Sequence, residues 1–253
     1  MVEPTSGYPS ILIFSEDSAK EASPTLRLVV LQMLGLVDSE SQSGITKIEP
    51  GDELHNPAVH ANFWKSKEQR DHKKIADLVM YTGEMLASGR FVLFHVDGDC
   101  VWRKRRRCDT EKRFQKVIGA RVRQVVGMAK PVKEGRIGLD ECMQRLVLIM
   151  PYYSIEAWLY QNTKVAVALC HRHHQGLHAD KFAHWEQHRD ELDEAEKVRD
   201  TVCLHSKHNL ELAGDGFPAK EVHDVKKSFA EAVGRLRLCA PLVAALAKTR
   251  HTA

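Results

Sequence analysis

The sequence predicts an α/β fold: a largely parallel sheet flanked by helices, followed by a helical C-terminal extension. Three observations carry this expectation. Short continuous apolar runs at Ile11–Phe14, Phe91–Val96 and Leu146–Met150 have the length of strands and stop at polar or turn-forming residues, as strands buried on both faces do. Stretches with apolar residues at helical spacing separate these runs, and strands alternating with helices point to parallel crossover units. After Thr163 the composition changes, with histidine and charge rising sharply. The expected organisation is an α/β domain over residues 8–163 and a helical extension over residues 164–253 packed on it.

Each element has its own local signal. Ser10–Phe14 reads as the first strand and stops at Ser15-Glu16-Asp17-Ser18. Pro24 opens a pattern in which Leu26, Val29, Val30, Met33, Leu34 and Leu36 form one apolar face, with Gly35 near its end. Ile45–Ile48 is a weaker strand pattern, followed by a polar loop through His55, Asn56 and Pro57. Lys67–Ala87 is helical in pattern, with Ile75, Val79, Met80 and Leu86 among its apolar positions, and Ser88-Gly89 closes it. Thr110–Val126 predicts a helix with Phe114, Val117, Ile118, Val122 and Val125 inward and Thr110 as its cap. Lys130–Asp140, rich in glycine and charge, reads as a loop. A strand from Arg145 finishes at Pro151, which cannot sustain an interior ladder bond, and Ser154 is placed to cap a helix whose first turn carries Glu156. Glu186–Arg199 reads as a charged helical stretch. The last amphipathic region, after Pro218, contains Val225, Phe229, Val233, Leu236 and Leu238 and is interrupted by Pro241.

With 253 residues, 43% of them apolar and 28% charged, the chain can bury a sizeable core. No apolar run approaches the ~20 residues of a membrane helix, and Met1–Gly7 lacks the basic start and apolar run of a signal peptide, so a cytoplasmic, membrane-free protein is expected. Six cysteines are scattered without a Cys-X-X-Cys pair, which suits reduced thiols. No glycine-rich phosphate loop, dinucleotide fingerprint or nucleophile elbow supports an ATP site, an NAD site or a serine hydrolase. The formal net charge of +3 decides little, but Arg103-Lys104-Arg105-Arg106-Arg107 forms one dense basic run. Lys112, Arg113, Lys116, Arg121 and Arg123 continue it. Such a run is ordinarily a solvated face; beside a metal site it suits a nucleic-acid backbone.

The acidic residues carry the chemistry. Asp97-Gly98-Asp99 ends the Phe91–Val96 run, where open α/β sheets bind their ligands. Alternation along an extended chain puts Asp97 and Asp99 on the same side, with Gly98 leaving room between them. Two like charges so close repel unless a cation neutralises them, and hard oxygen ligands suit Mg²⁺, Mn²⁺ or Ca²⁺. The competing reading is an exposed Asp-Gly turn after a core strand. Glu16 after the first strand and Glu156 after the last would converge on the same ion or ions, a setting that positions water and stabilises charge in phosphodiester cleavage. Tyr152, Tyr153 and Trp158 either stack on bases or close the core beside the last strand. Cys170, His171, His173, His174, His178, His184 and His188 include helical i, i+4 spacings, but without paired cysteines they read as surface histidines rather than a zinc site.

The strand ending in Glu16, the strand ending in Asp97-Gly98-Asp99, and Ser154-Ile155-Glu156-Ala157-Trp158-Leu159 after Pro151 together resemble the Toprim (topoisomerase–primase) domain family, especially its OLD-type and RloB-like bacterial nuclease branches. The resemblance covers residues 10–162, with a weaker echo at Lys220, and rests on the order and spacing of short motifs. It implies a divalent-metal-dependent nuclease cleaving DNA or RNA, with Mg²⁺ or Mn²⁺ as cofactor. Glu16 would be a metal ligand or general base, Asp97 and Asp99 metal ligands, and Glu156 a further ligand or a water-orienting group. Lys220 would contact phosphate. It further implies an ATPase partner in bacterial anti-phage defence. Asp17 departs from the pattern, standing where glycine is common; its side chain would crowd the phosphate or add a ligand. The alternative is a non-catalytic Toprim-like nucleic-acid-binding or regulatory subunit of an ATPase complex, and a small-molecule phosphotransfer enzyme also fits clustered acids.

Overall fold

The structure is a computed structural model that describes residues 9–16, 21–38, 48–50, 64–65, 68–214 and 216–249. Four strands, β1 (Ile11–Phe14), β2 (Ile48–Pro50), β3 (Phe91–His95) and β4 (Leu146–Ile149), form one parallel sheet in the order β2-β1-β3-β4. Ile11 pairs with Phe91 and Val92 with Leu146, so the carboxyl ends of β1, β3 and β4 finish side by side. The protein is α/β, with a parallel sheet flanked by helices, as the strand–helix alternation predicts.

The two-residue period of a strand sorts the apolar runs into two layers. Ile11, Ile13, Phe91, Leu93, Val147 and Ile149 enter one apolar cluster, while Leu12, Phe14, Val92, Phe94, Leu148 and Met150 enter the other. Both faces are therefore covered, which is why these strands read as unbroken apolar runs. Helix α1 (Ala22–Val37) covers the first face and buries Leu26, Val29, Val30, Met33 and Leu34. Helix α2 (Gln69–Ala87) covers the second. Beside it runs a continuous helical path made of α3 (Thr110–Phe114), a π-helical turn at Gln115–Gly119, and α4 (Ala120–Met128). Its i, i+4 stripe of Phe114, Ile118, Val122 and Val126 is fully buried, with Val117 and Val125 on the flanks. Among the described residues no helix is long and apolar enough to cross a membrane.

Several local expectations are corrected. Thr110 does not cap its helix; its hydroxyl donates instead to the Gly98 carbonyl at 2.9 Å. Lys130–Asp140 is not one loop, since it holds α5 (Lys130–Lys133) and opens α6 (Leu139–Gln144); Pro131 suits a first helical turn. Ser154 gives no side-chain cap to α7 (Glu156–Leu159); its carbonyl accepts the Ala157 N–H at 3.0 Å. The charged stretch Glu186–Arg199 is not one helix. Helix α9 (Ala179–Gln187) ends first, and 3-10 turns at Arg189–Glu194 and Val198–Thr201 follow, because Leu192 and Val198 both reach the core and Lys197 takes a left-handed backbone. The chain breaks at Cys239, and Pro241 sits harmlessly in the first turn of α13 (Ala240–Thr249). Asp17, Ile45–Lys47 and the His55, Asn56 and Pro57 loop lie outside the described residues.

The remaining helices are α8 (Thr163–His174), α10 (Asn209–Ala213), α11 (Ala219–Asp224) and α12 (Ser228–Leu238). They do not form a separate core. Leu169, Phe182, Leu212, Phe229, Val233 and Leu246 belong to the same apolar cluster as Ile11, Leu93 and Ile149 of the sheet.

Candidate metal and nucleic-acid site

Backbone pairing carries the loops after three strands into one place. The Glu16 N–H donates to His95 O at 3.1 Å, continuing the β1–β3 ladder past its last strand residue. On the other side, Val96 donates to Ile149 O, Gly98 to Pro151 O at 2.9 Å and Cys100 to Tyr152 O at 2.8 Å. The segment after β3 is thus held between the ends of β1 and β4. Gly98 is required by that closeness: a Cβ there would lie 2.5 Å from Tyr152 O and 3.1 Å from Pro151 O. Its carbonyl is fixed in turn by Thr110 and by the Cys108 thiol at 3.2 Å.

Glu16, Asp97, Asp99 and Glu156 line one open cleft of about 530 Å³, together with Tyr153, Lys197 and Arg199. The chain is not extended through Asp99, whose φ of 54° is left-handed, a conformation aspartate tolerates better than most residues. Asp97 is consequently half-buried at the floor, while the Asp99 side chain is 67% exposed at the rim. Glu16 Oε2 accepts the Asp97 N–H at 2.9 Å. Glu156, 5% exposed, accepts from Asn209 Nδ2 at 3.2 Å. Among the described residues Asp97 Oδ1 has no hydrogen-bond partner.

Burial dominates the electrostatics. It raises the Asp97 carboxyl well above the ordinary aspartate range, and the Glu16 and Glu156 charges add to the effect. Burial also raises Glu16, against the pull of the Lys65 ammonium. Beneath Asp97 lies His95, 1% exposed, with neither ring nitrogen partnered and Nε2 3.6 Å from Asp97 Oδ1. Burial and then the Lys65 charge push its pKa down to about 3, so the imidazole is neutral and forms no ion pair with Asp97.

Lys65 is the residue the sequence did not single out. Its Nζ sits 2.7 Å from Glu16 Oε1, 2.6 Å from Asp99 Oδ2 and 3.1 Å from the Asp97 carbonyl oxygen. Burial pulls this ammonium down, but its bonds to Asp99 and Glu16 outweigh that and leave its pKa raised. The preceding Trp64 is fully buried, edge-on to Phe114 at 5.8 Å, and the Arg113 guanidinium donates to Lys65 O. The adjacent aromatic pair Phe63-Trp64 was the available signal of an anchored segment.

The basic run forms a 3-10 helix, Trp102–Arg107, packed on the Arg189–Glu194 turn, which precedes the cleft-lining Lys197 and Arg199. Arg105 is half-buried, stacks 4.2 Å over the Trp102 ring and donates to the Trp102 carbonyl. Lys104 pairs with Glu196 at 3.0 Å, and the Arg103 backbone N–H meets Glu194. Arg103, Arg106 and Arg107 carry exposed side chains. Lys220 is not brought to the acids. It lines a different cleft of about 720 Å³ with Gln32, Asn162 and Arg189, because α11 packs on α1 and α12. Tyr152 is buried with its hydroxyl 3.2 Å from both Glu231 oxygens, and Trp158 donates to Ser228 Oγ at 2.6 Å; both close the core, and Tyr153 faces the cleft.

In the histidine-rich segment, His171 and His173 are exposed and His174 is half-buried. The Cys170 and Cys203 sulfurs lie 3.3 Å apart as free thiols. Exposed His184, His188 and Glu191 bring ligand atoms within 4.8 Å of one another. None of these residues lines the acidic cleft. Comparison of the chain with protein-family models, with curated proteins and with solved structures finds no match.

Proposed function

We propose that this chain is a Toprim-like, divalent-metal-dependent nuclease that cleaves phosphodiester bonds of DNA or RNA in the cleft bounded by Glu16, Asp97, Asp99 and Glu156. The observation that carries the reading is the meeting of these four carboxylates at the carboxyl ends of three adjacent parallel strands. The donor type suits Mg²⁺ or Mn²⁺: these are hard carboxylate oxygens, spread more widely than the 4.8 Å of the His184–His188–Glu191 group, with Asp97 Oδ1 lacking a donor among the described residues and a cationic ammonium already drawn in between Glu16 and Asp99. Glu16, Asp97 and Asp99, with Glu156 alongside, would hold a divalent ion, whose chemistry there would be charge stabilisation at the phosphate and a lowered pKa of a bound water. The chain's own groups do the rest. The Asp97 N–H fixes the Glu16 carboxylate, Asn209 orients Glu156, and the neutral His95 closes the floor against solvent. Arg103, Arg106 and Arg107 at the rim suit backbone phosphates. An ATPase partner in anti-phage defence belongs to the same proposal through the family resemblance.

A second reading is favoured by one observation. Lys65 partly neutralises the acids without any metal, as would suit a non-catalytic Toprim-like subunit that binds nucleic acid or regulates a partner. The deciding experiment incubates wild type, Glu16→Gln and Asp97→Asn with single- and double-stranded DNA and RNA in Mg²⁺ or Mn²⁺. The nuclease reading expects metal-dependent cleavage that both variants lose. Nucleic-acid binding without cleavage in either metal selects the second reading. Turnover of phosphomonoesters in preference to polymers identifies a small-molecule phosphotransfer enzyme instead.

A further inference from the structure

Resting on the metal-site reading above, we infer that Lys65 is the site's resident cation, an internal ammonium that a divalent ion must displace before the site can be loaded. An ammonium has three N–H donors and no acceptor. Here three oxygens lie within reach, those of Glu16, Asp99 and the Asp97 carbonyl at 2.7, 2.6 and 3.1 Å. Two of these are the carboxylates that would ligate the ion, so ammonium and ion compete for the same oxygens. The placement is built into the fold. Trp64 is sunk against Phe114, and Arg113 grips the Lys65 carbonyl, which delivers the side chain to the acids from outside the sheet. The Lys65 ammonium bonds Glu16 and Asp99 but leaves Asp97 Oδ1 unpaired among the described residues, so the cluster can accept a second positive charge in exchange. Occupancy by the metal is thereby thresholded: the ion must reach a concentration that overcomes two charge-assisted bonds.

The test is calorimetric titration of the whole chain with Mn²⁺, comparing wild type, Lys65→Met and Arg199→Met. Met keeps the length of the stem and removes the charge. Arg199 lines the same cleft but pairs with Asp200 rather than with these acids, so its variant controls for net charge alone. Lys65→Met is expected to bind Mn²⁺ at least about tenfold tighter, which is about 1.4 kcal/mol, and Arg199→Met within about threefold of wild type. Equal or weaker binding by Lys65→Met, or a gain no larger than that of Arg199→Met, overturns the inference. A second measurement needs no variant: amine acetylation of wild type read by mass spectrometry. Lys65 is expected to be protected relative to Lys197 without metal and to become reactive in saturating Mn²⁺; unchanged or deeper protection overturns it. Failure of the two ideas is distinguishable. If neither wild type nor Lys65→Met binds Mn²⁺, the metal site itself is refuted and this inference with it. If Lys65→Met binds more tightly but no nucleic acid is cut, displacement stands and the nuclease reading falls.

Discussion

Replacing Asp97 by Asn should stabilise the metal-free fold while abolishing metal binding. Asp97 Oδ1 has no donor, shares its surroundings with Glu16 and Glu156, and faces the neutral Nε2 of His95 at 3.6 Å. Leaving a buried polar atom unpaired costs about 1–3 kcal/mol. Asn removes the repelling charge and offers an amide N–H toward that imidazole, so part of this cost is recovered. A gain of about 1–2 kcal/mol follows, and in a chain of this size it raises Tm by about 2–8 °C. The assay is thermal unfolding in chelator and in saturating Mn²⁺. Wild type is expected to be the less stable in chelator and to gain from Mn²⁺ by mass action, whereas Asp97→Asn starts higher and gains nothing. A lower Tm for the variant in chelator, or a retained Mn²⁺-induced shift, would refute the account of Asp97 as a strained ligand.

The pH dependence has a definite sign. Because burial raises Asp97 above its ordinary value of 3.8, the unfolded chain ionises first, and the fold loses stability as pH climbs from that value through the folded one. The advantage of Asp97→Asn in chelator, read from urea midpoints, should therefore be largest at neutral pH and vanish near pH 3; an advantage that persists there contradicts the charge argument. Gly98→Ala should cost about 1–3 kcal/mol and weaken Mn²⁺ binding, since its Cβ would press on Tyr152 O at 2.5 Å and pry the loops apart; unchanged urea stability would show that the contact is slack. Arg106→Ala/Arg107→Ala should weaken nucleic-acid binding across sequences and lower the salt slope by about 1–2, leaving Mn²⁺ affinity intact. Anisotropy titrations at several salt concentrations check this, and unchanged affinity would place the phosphate path elsewhere.

What was legible in the sequence is what local pattern controls. Strands buried on both faces are apolar at nearly every position, with only His95 polar in these three, so β1, β3 and β4 announce themselves, and the acids at their ends follow from the register. Less legible was anything decided by a distant partner. Thr110 is the first residue of its helix, one position past the cap, yet a loop carbonyl claims its hydroxyl. Lys65 reaches the acids because Trp64 docks on Phe114 and Arg113 grips its carbonyl, contacts 48 or more residues away that no periodicity encodes. Lys220 is basic and near the end of the chain, but the packing of α11 against α1 and α12 sends it to another cleft. The stretch from Arg189 to Thr201 is charged enough for an exposed helix, yet Leu192 and Val198 point in directions one helix cannot serve.

The core that unites Ile11 with Leu246 also governs the order of events during synthesis. A ribosome releases β1 and α1 long before α12 and α13, so the first face of the sheet has only part of its cover until nearly the whole chain has emerged. Contacts so far apart in sequence are slow to close, and the waiting strand is an exposed apolar edge open to wrong pairings. Truncation before α12 would therefore leave α1 and β4 without the helix that packs on both, and yield aggregation rather than a smaller folded protein.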